Sequence, residues 1–120
     1  MSVEDDFRAL LAARSQLTAL VGARIAQNAV PEGSPVPLVV FAVTHDRTLG
    51  LDNALLLDQC AISVQCWADN ATEADAVADQ VVLAVAGAPT ARGACVVDRA
   101  GTYDADLGLD GTLLTVEWWA

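Results

Sequence analysis

Lysine is missing from this chain. All six basic residues are arginines (Arg8, Arg14, Arg24, Arg47, Arg92 and Arg99), and they stand singly. No basic patch exists to grip a phosphate backbone or an anionic lipid surface. Sixteen acidic residues bring the net charge to −10, which disfavours such partners further. Histidine occurs once, at His45. There is no Gly-x-Ser-x-Gly elbow, no phosphate-binding glycine loop and no Cys-x-x-Cys pair. No apolar run approaches the ~20 residues that span a bilayer. The first residues, Met-Ser-Val-Glu-Asp-Asp, are acidic where a secretory leader is basic. Three cysteines make an odd number, so reduced thiols are expected. These features predict a protein made and folded in a cytoplasm.

What is present is a large apolar fraction, 54% of 120 residues, enough for one domain over residues 1–120 with a core of its own. The organising stretch is 60–87. Cys60, Ile62, Val64 and Cys66 alternate with Ala61, Ser63, Gln65 and Trp67, the period of a strand with one apolar face. The period then changes. Ala74, Val77, Ala78, Val81, Ala84 and Val85 form one helical stripe. Asn70 is the expected N-cap, with Glu73 three residues on. Gly87 is the expected left-handed C-terminal residue, and Pro89 blocks resumption.

Earlier in the chain, Ser2 is read as the cap of a first helix whose buried face carries Phe7, Leu10 and Leu11. Ser15 is read as a second cap, opening a short turn that Gly22 ends. Residues 24–26 suit a brief edge strand. Pro31, Gly33, Pro35 and Pro37 predict a surface loop. An apolar strand follows over 38–43, extending at most to His45. Residues 46–53 read as a polar, mobile loop. Beyond Pro89, a strand runs from Cys95 to about Tyr103. A turn-rich connection holds Asp104, Asp106, Gly108, Asp110 and Gly111, and a last strand covers 112–119. The order is α-(β)-β-β-α-β-β. This predicts an α+β fold, a mainly antiparallel sheet of four to five strands with two main helices on one face.

Three candidate sites are weighed and set aside. Cys60 and Cys66, six residues apart on one strand, lie ~20 Å apart at ~3.3 Å per residue and cannot share a zinc ion. They are read as buried, inert thiols. The acidic run at 104–111 lacks the glycine position and terminal glutamate of a calcium loop. His45, beside Asp46 and with Ser34 or Ser63 as a nucleophile, is read as a solvated turn residue rather than a catalytic base. No metal, cofactor or catalytic residue is assigned.

Aromatics are scarce, six in all, yet three of them are tryptophan. Trp118 and Trp119 are consecutive, so a strand sends them to opposite faces. Trp118 is assigned to the core. Trp67 and Trp119 point away from it, and tryptophan is enriched at interfaces. The candidate interface is therefore Trp67, Trp119 and Glu117, with Asp46, Arg47, Leu49 and Asp52 of the polar loop, since loops commonly carry binding function.

Taken together, several segments resemble a known family. Residues 16–25 read Gln-Leu-Thr-Ala-Leu-Val-Gly-Ala-Arg-Ile. A proline-rich loop leads into Pro-Val-Pro-Leu-Val-Val-Phe at 35–41. Val-Gln-Cys-Trp-Ala at 64–68 precedes a helix of the form Glu-Ala-x-x-Val-Ala-x-x-Val. Tyr103-Asp104 and a Gly108–Gly111 turn lead into a strand closing in aromatics. In order and spacing, from about Leu10 to Trp119, the chain resembles the small tail-completion proteins of long-tailed phages, related to tail terminators. The resemblance implies a structural virion protein and no enzyme. It implies a homo-oligomeric ring, typically a hexamer, at the head-proximal end of the tail. Its partners would be the tail tube protein and the head–tail connector, with genomic DNA passing through the lumen unbound. No membrane is involved. Two other classes stay open: a small cytosolic ligand-binding or regulatory α+β dimer, and a minor hydrolase dependent on His45.

Overall fold

The computed structural model describes residues 3–28, 35–49, 55–87 and 94–119; for 46–49, 55–59 and 119 the backbone alone is considered. Among the described residues, eight elements follow one another: α1 (Val3–Ala12), α2 (Ser15–Val21), β1 (Ile25–Gln27), β2 (Leu38–Leu49), β3 (Leu55–Ala68), α3 (Ala71–Ala86), β4 (Ala94–Asp104) and β5 (Leu109–Trp119). The five strands form one sheet in the order β1-β2-β3-β5-β4. The fold is α+β, as expected. The sheet is mixed rather than purely antiparallel, because β1 runs parallel to β2. Three helices are present among the described residues where two main ones were expected.

The helices share one face of the sheet. Phe7, Leu11, Leu17, Val21, Val77 and Val81 come from the helices, and Phe41, Ile62, Val64, Leu114 and Val116 from the strands, to form one fully buried cluster. Phe7 is its hinge point. Its ring stands edge-on to Phe41 at 5.2 Å and to Trp118 at 5.7 Å, a geometry that aromatic quadrupoles favour. The apolar run at 38–41 has a simple cause. Val39 and Phe41 join this cluster, while Leu38 and Val40, of opposite parity, are buried as well.

Helix α3 begins as its sequence dictates. Asn70 has extended backbone, and its side chain accepts from the Glu73 N–H at 2.8 Å. Its end differs from expectation. Gly87 has φ −95°, not a left-handed value, and its N–H reaches the carbonyls of Ala84 and Leu83. The last turn tightens instead of reversing hand, a common way to satisfy terminal carbonyls. The N-cap of α2 is Arg14, not Ser15; Ser15 is the first helical residue. The predicted Ser2 cap, together with Pro31, Gly33 and Pro89, lies outside the described residues.

The largest correction concerns 46–49. These residues continue β2 rather than forming a loop, paired in register from Asp46 opposite Gln59 to Leu49 opposite Leu55. Local propensity disfavours Asp in strands, but pairing with the apolar start of β3 overrides it. Asp52 and its neighbours at 50–54 lie outside the described residues. β5 also starts earlier than predicted, at Leu109. The connection before it is a tight turn. The Asp104 carboxylate accepts from the N–H groups of Asp106 and Leu107, and Gly108 takes φ +66°. A side-chain-capped turn of this kind is what Asp and Gly supply.

Candidate assembly interface

The sheet has a second face, on the side away from the helices. Along β3, Ala61 and Ser63 are exposed and Gln65 and Trp67 half-buried; along β5, Leu113 is exposed and Thr115 and Glu117 half-buried. The residues here are small or polar apart from Leu113 and Trp67. Strand registers place the predicted interface residues. Asp46, Gln59 and Trp119 stand abreast in one row across β2, β3 and β5. Glu117 lies on the next row of the same face, between Ala61 and Cys95. Arg47 and Leu49 continue β2 beyond that row. Five of the predicted residues therefore gather at one end of the sheet.

Trp67 does not join them. It pairs with Gly111, six positions along β5 from Glu117, roughly 20 Å away at ~3.3 Å per residue. Its surroundings explain its half-burial without a partner. A Cβ on Gly111 would lie 2.7 Å from two atoms of the Trp67 ring, so the indole rests directly on the glycine backbone. The indole Nε1–H donates to Gln65 at 3.1 Å.

Exposed apolar side chains mark a different region. Among the described residues, the exposed large hydrophobics Val97, Tyr103, Leu107 and Leu113 belong to the β4–β5 hairpin, and Leu83 lies on a helix. Leu107, at the turn tip, is 69% exposed. Sequence reading missed these exposed side chains. The available signal was Val96-Val97, two consecutive apolar residues that break strand alternation where the register shifts before Asp98.

His45 also departs from expectation. It lies within β2 and faces the helices, with Nε2 3.0 Å from the Glu4 carboxylate and Nδ1 3.3 Å from Cys60 Sγ. The carboxylate only accepts, so Nε2 carries a proton toward Glu4, while Nδ1 faces the thiol. The line Cys-His-Glu has the order of a nucleophile, a base and its orienting group. Cys60 is fully buried, however, so no substrate reaches its sulfur. Glu4 and Cys60 also sit on opposite sides of the ring rather than converging on one point for a metal. Ser63 faces the other side of the sheet, and Ser34 lies outside the described residues. Cys66 is buried too, and burial pushes its thiol up to about 12, against a weaker lowering by the Arg99 charge. Cys95 is the one exposed thiol.

Most arginines are occupied within the chain. Arg8 donates to the Ile25 carbonyl, Arg14 to Gln80, Arg24 to the Pro37 carbonyl and Arg99 to Asp79. The bond to Asp79 also raises the Arg99 pKa above its ordinary value.

The structure is thus a helix-backed five-stranded sheet with an open second face and a hairpin that carries exposed apolar side chains. Residues 5–120 match the family model described as tail completion protein gp17. The chain belongs to that family and is a structural tail component of a virion. Among solved structures it is similar to a chain of the virion of a native gene transfer agent particle, at 20% identity and TM-score 0.74, over 98% of this chain and 93% of that one. That likeness shows a shared fold. No curated protein matches the sequence.

Proposed function

We propose that this protein forms a ring, six subunits in number, at the head-proximal end of the tail tube, where it ends tube growth and joins the tube to the head connector. The observation that carries this reading is family membership over nearly the whole chain. Its role is architectural and non-catalytic. Charge supports a DNA passage. Four of the six arginines are held by groups of their own chain, while the net charge is −10. A lumen lined by such a surface lets a polyanion slide without sticking.

Ring contacts include the end of the sheet where Asp46, Arg47, Leu49, Glu117 and Trp119 gather, with Asp52 nearby in sequence. The test is native mass measurement of the assembled protein, wild type and Trp119→Ala. Wild type is expected as a closed oligomer of six. The Trp119→Ala protein is expected to keep near-native circular dichroism and to lose assembly or docking to tails. A protein that stays monomeric at every concentration and also fails to bind purified tails overturns the ring. Unaltered assembly and docking in Trp119→Ala moves the interface elsewhere.

A further inference from the structure

The two edges of the sheet differ in how they are closed. At one edge, β4 is eleven residues long, and no described strand lies on its far side. At the other edge, β1 is three residues long and flanks only Val39, Val40 and Phe41 of β2. The Asn28 N–H adds one bond to the Phe41 carbonyl. Past that point no described strand flanks β2 on its outer side, although β2 continues to Leu49.

An open strand edge presents a row of backbone donors and acceptors and is prone to pair with any extended chain. β4 guards only its first half. The register shift and the charged pair Asp98-Arg99 lie there. Residues 100–104 are regular, hold no proline or lysine, and have Ala100, Gly101 and Tyr103 exposed.

The senses of the strands then matter. β3 is antiparallel to β2, β5 to β3, and β4 to β5. Three reversals leave β4 antiparallel to β2. A second copy in the same orientation therefore brings its β2 antiparallel against β4 of the first. Antiparallel pairing is the slightly more stable kind. The contact joins two different surfaces of the same chain. Such head-to-tail contacts propagate from copy to copy and close as rings when the rotation allows.

We propose that residues 100–104 of β4 pair, backbone to backbone, with β2 beyond Phe41 in the next copy, so that one sheet continues from subunit to subunit. The inference rests on the ring reading above and names the contact that builds the ring. The occupant is a second copy because this chain itself supplies the matching edge, in the matching sense. The exposed Tyr103 lies on the pairing segment, and a neighbouring strand covers it.

The test is disulfide capture in the full-length chain. Cys95→Ser removes the exposed thiol. Into that background go Thr44→Cys on β2 with Thr102→Cys on β4, or Asp46→Cys with Ala100→Cys, combinations that keep all of 100–104 beyond the stretch flanked by β1. Paired strands lie ~4.8 Å apart, within the 4.4–6.8 Å that disulfides span. At least one combination is expected to give a covalent ladder under mild oxidation, ending at the native ring size. Single substitutions, and Leu83→Cys with Thr102→Cys, are expected to give no ladder. Hydrogen exchange on the unaltered protein is the second measurement, independent of any variant's folding. Amides of residues 100–104 are expected to slow by about tenfold or more on assembly. Rings of native mass with no ladder and no such slowing overturn the edge pairing and leave the ring reading standing. Absence of any oligomer overturns both.

Discussion

The two faces of the sheet use the same strands and obey opposite rules. On the helix side, Cys60, Ile62, Val64, Cys66 and Val116 are all fully buried, and Leu114 and Trp118 nearly so. On the other side, the intervening residues Ala61, Ser63, Gln65, Leu113, Thr115 and Glu117 are exposed or half-buried. A one-residue slip of β3 or β5 would exchange the two sets, so the covered face fixes register. The open face contributes little to that choice. It is free to carry contacts that matter only between molecules. A tail protein needs both: a face that makes the monomer and a face that survives in water until it meets a neighbour.

The sharpest way to break this comparison is to damage the covered face. Trp118 is 4% exposed and packs edge-on against Phe7. Trp118→Ala is expected to cost about 3–5 kcal/mol in chemical denaturation, from lost burial and the cavity left behind. A loss below about 1 kcal/mol would show that the Phe7–Trp118 contact is not part of the core.

A smaller effect is expected on the open face, at Gly111. Any side chain there meets the Trp67 ring at 2.7 Å and Thr102 Cγ2 at 3.1 Å. Gly111→Ala is expected to destabilise by about 1–3 kcal/mol, because the indole must leave its seat. Trp67→Ala in the same chain is expected to abolish most of that penalty, since the two sites share one contact. Equal penalties with and without Trp67 would place the ring elsewhere.

How much of this was legible in the sequence depends on the range of the interactions involved. The strand–helix unit at 60–86 was readable because its signals are local: alternation, a helical stripe, and a capping Asn70 whose partner sits three residues away. The burial of Trp118 followed from parity alone. Residues 46–49 were misread because their strand state comes from pairing with 55–59, and no local pattern announces it. His45 was placed in a turn for the same reason, since its partners Glu4 and Cys60 are distant in sequence. Gly87 was given a left-handed conformation that glycine permits but does not require. The candidate interface residues at the end of the sheet follow from separate local signals. Their common location appeared only with the strand registers. Trp67 was judged an interface residue because it points outward. Its direction follows from alternation, whereas the Gly111 backbone beneath its ring is a cross-strand contact that no local pattern announces.

The smallest expected effect lies where the two faces meet, at the β4 edge. Arg99 reaches from β4 toward α3, with Nη1 2.8 Å from Asp79 and Nη2 3.5 Å from Asp75. Asp75 also accepts from the Thr112 hydroxyl at 2.8 Å, so the edge strand, its neighbour and the helix share one polar cluster. The cluster looks like a clasp, but its carboxylates are wet: the Asp75 and Asp79 side chains are 59% and 62% exposed. Ion pairs in water gain little against screening and the ordering of long side chains. Arg99→Ala is therefore expected to cost less than about 1 kcal/mol in global stability, and less again in high salt. Its effect belongs to the edge. Amides of β4 are expected to exchange faster in the monomer, while those of β3 stay unchanged. A salt-independent loss above about 2 kcal/mol would mean that α3 holds β4 in place, and that the edge strand belongs with the covered face.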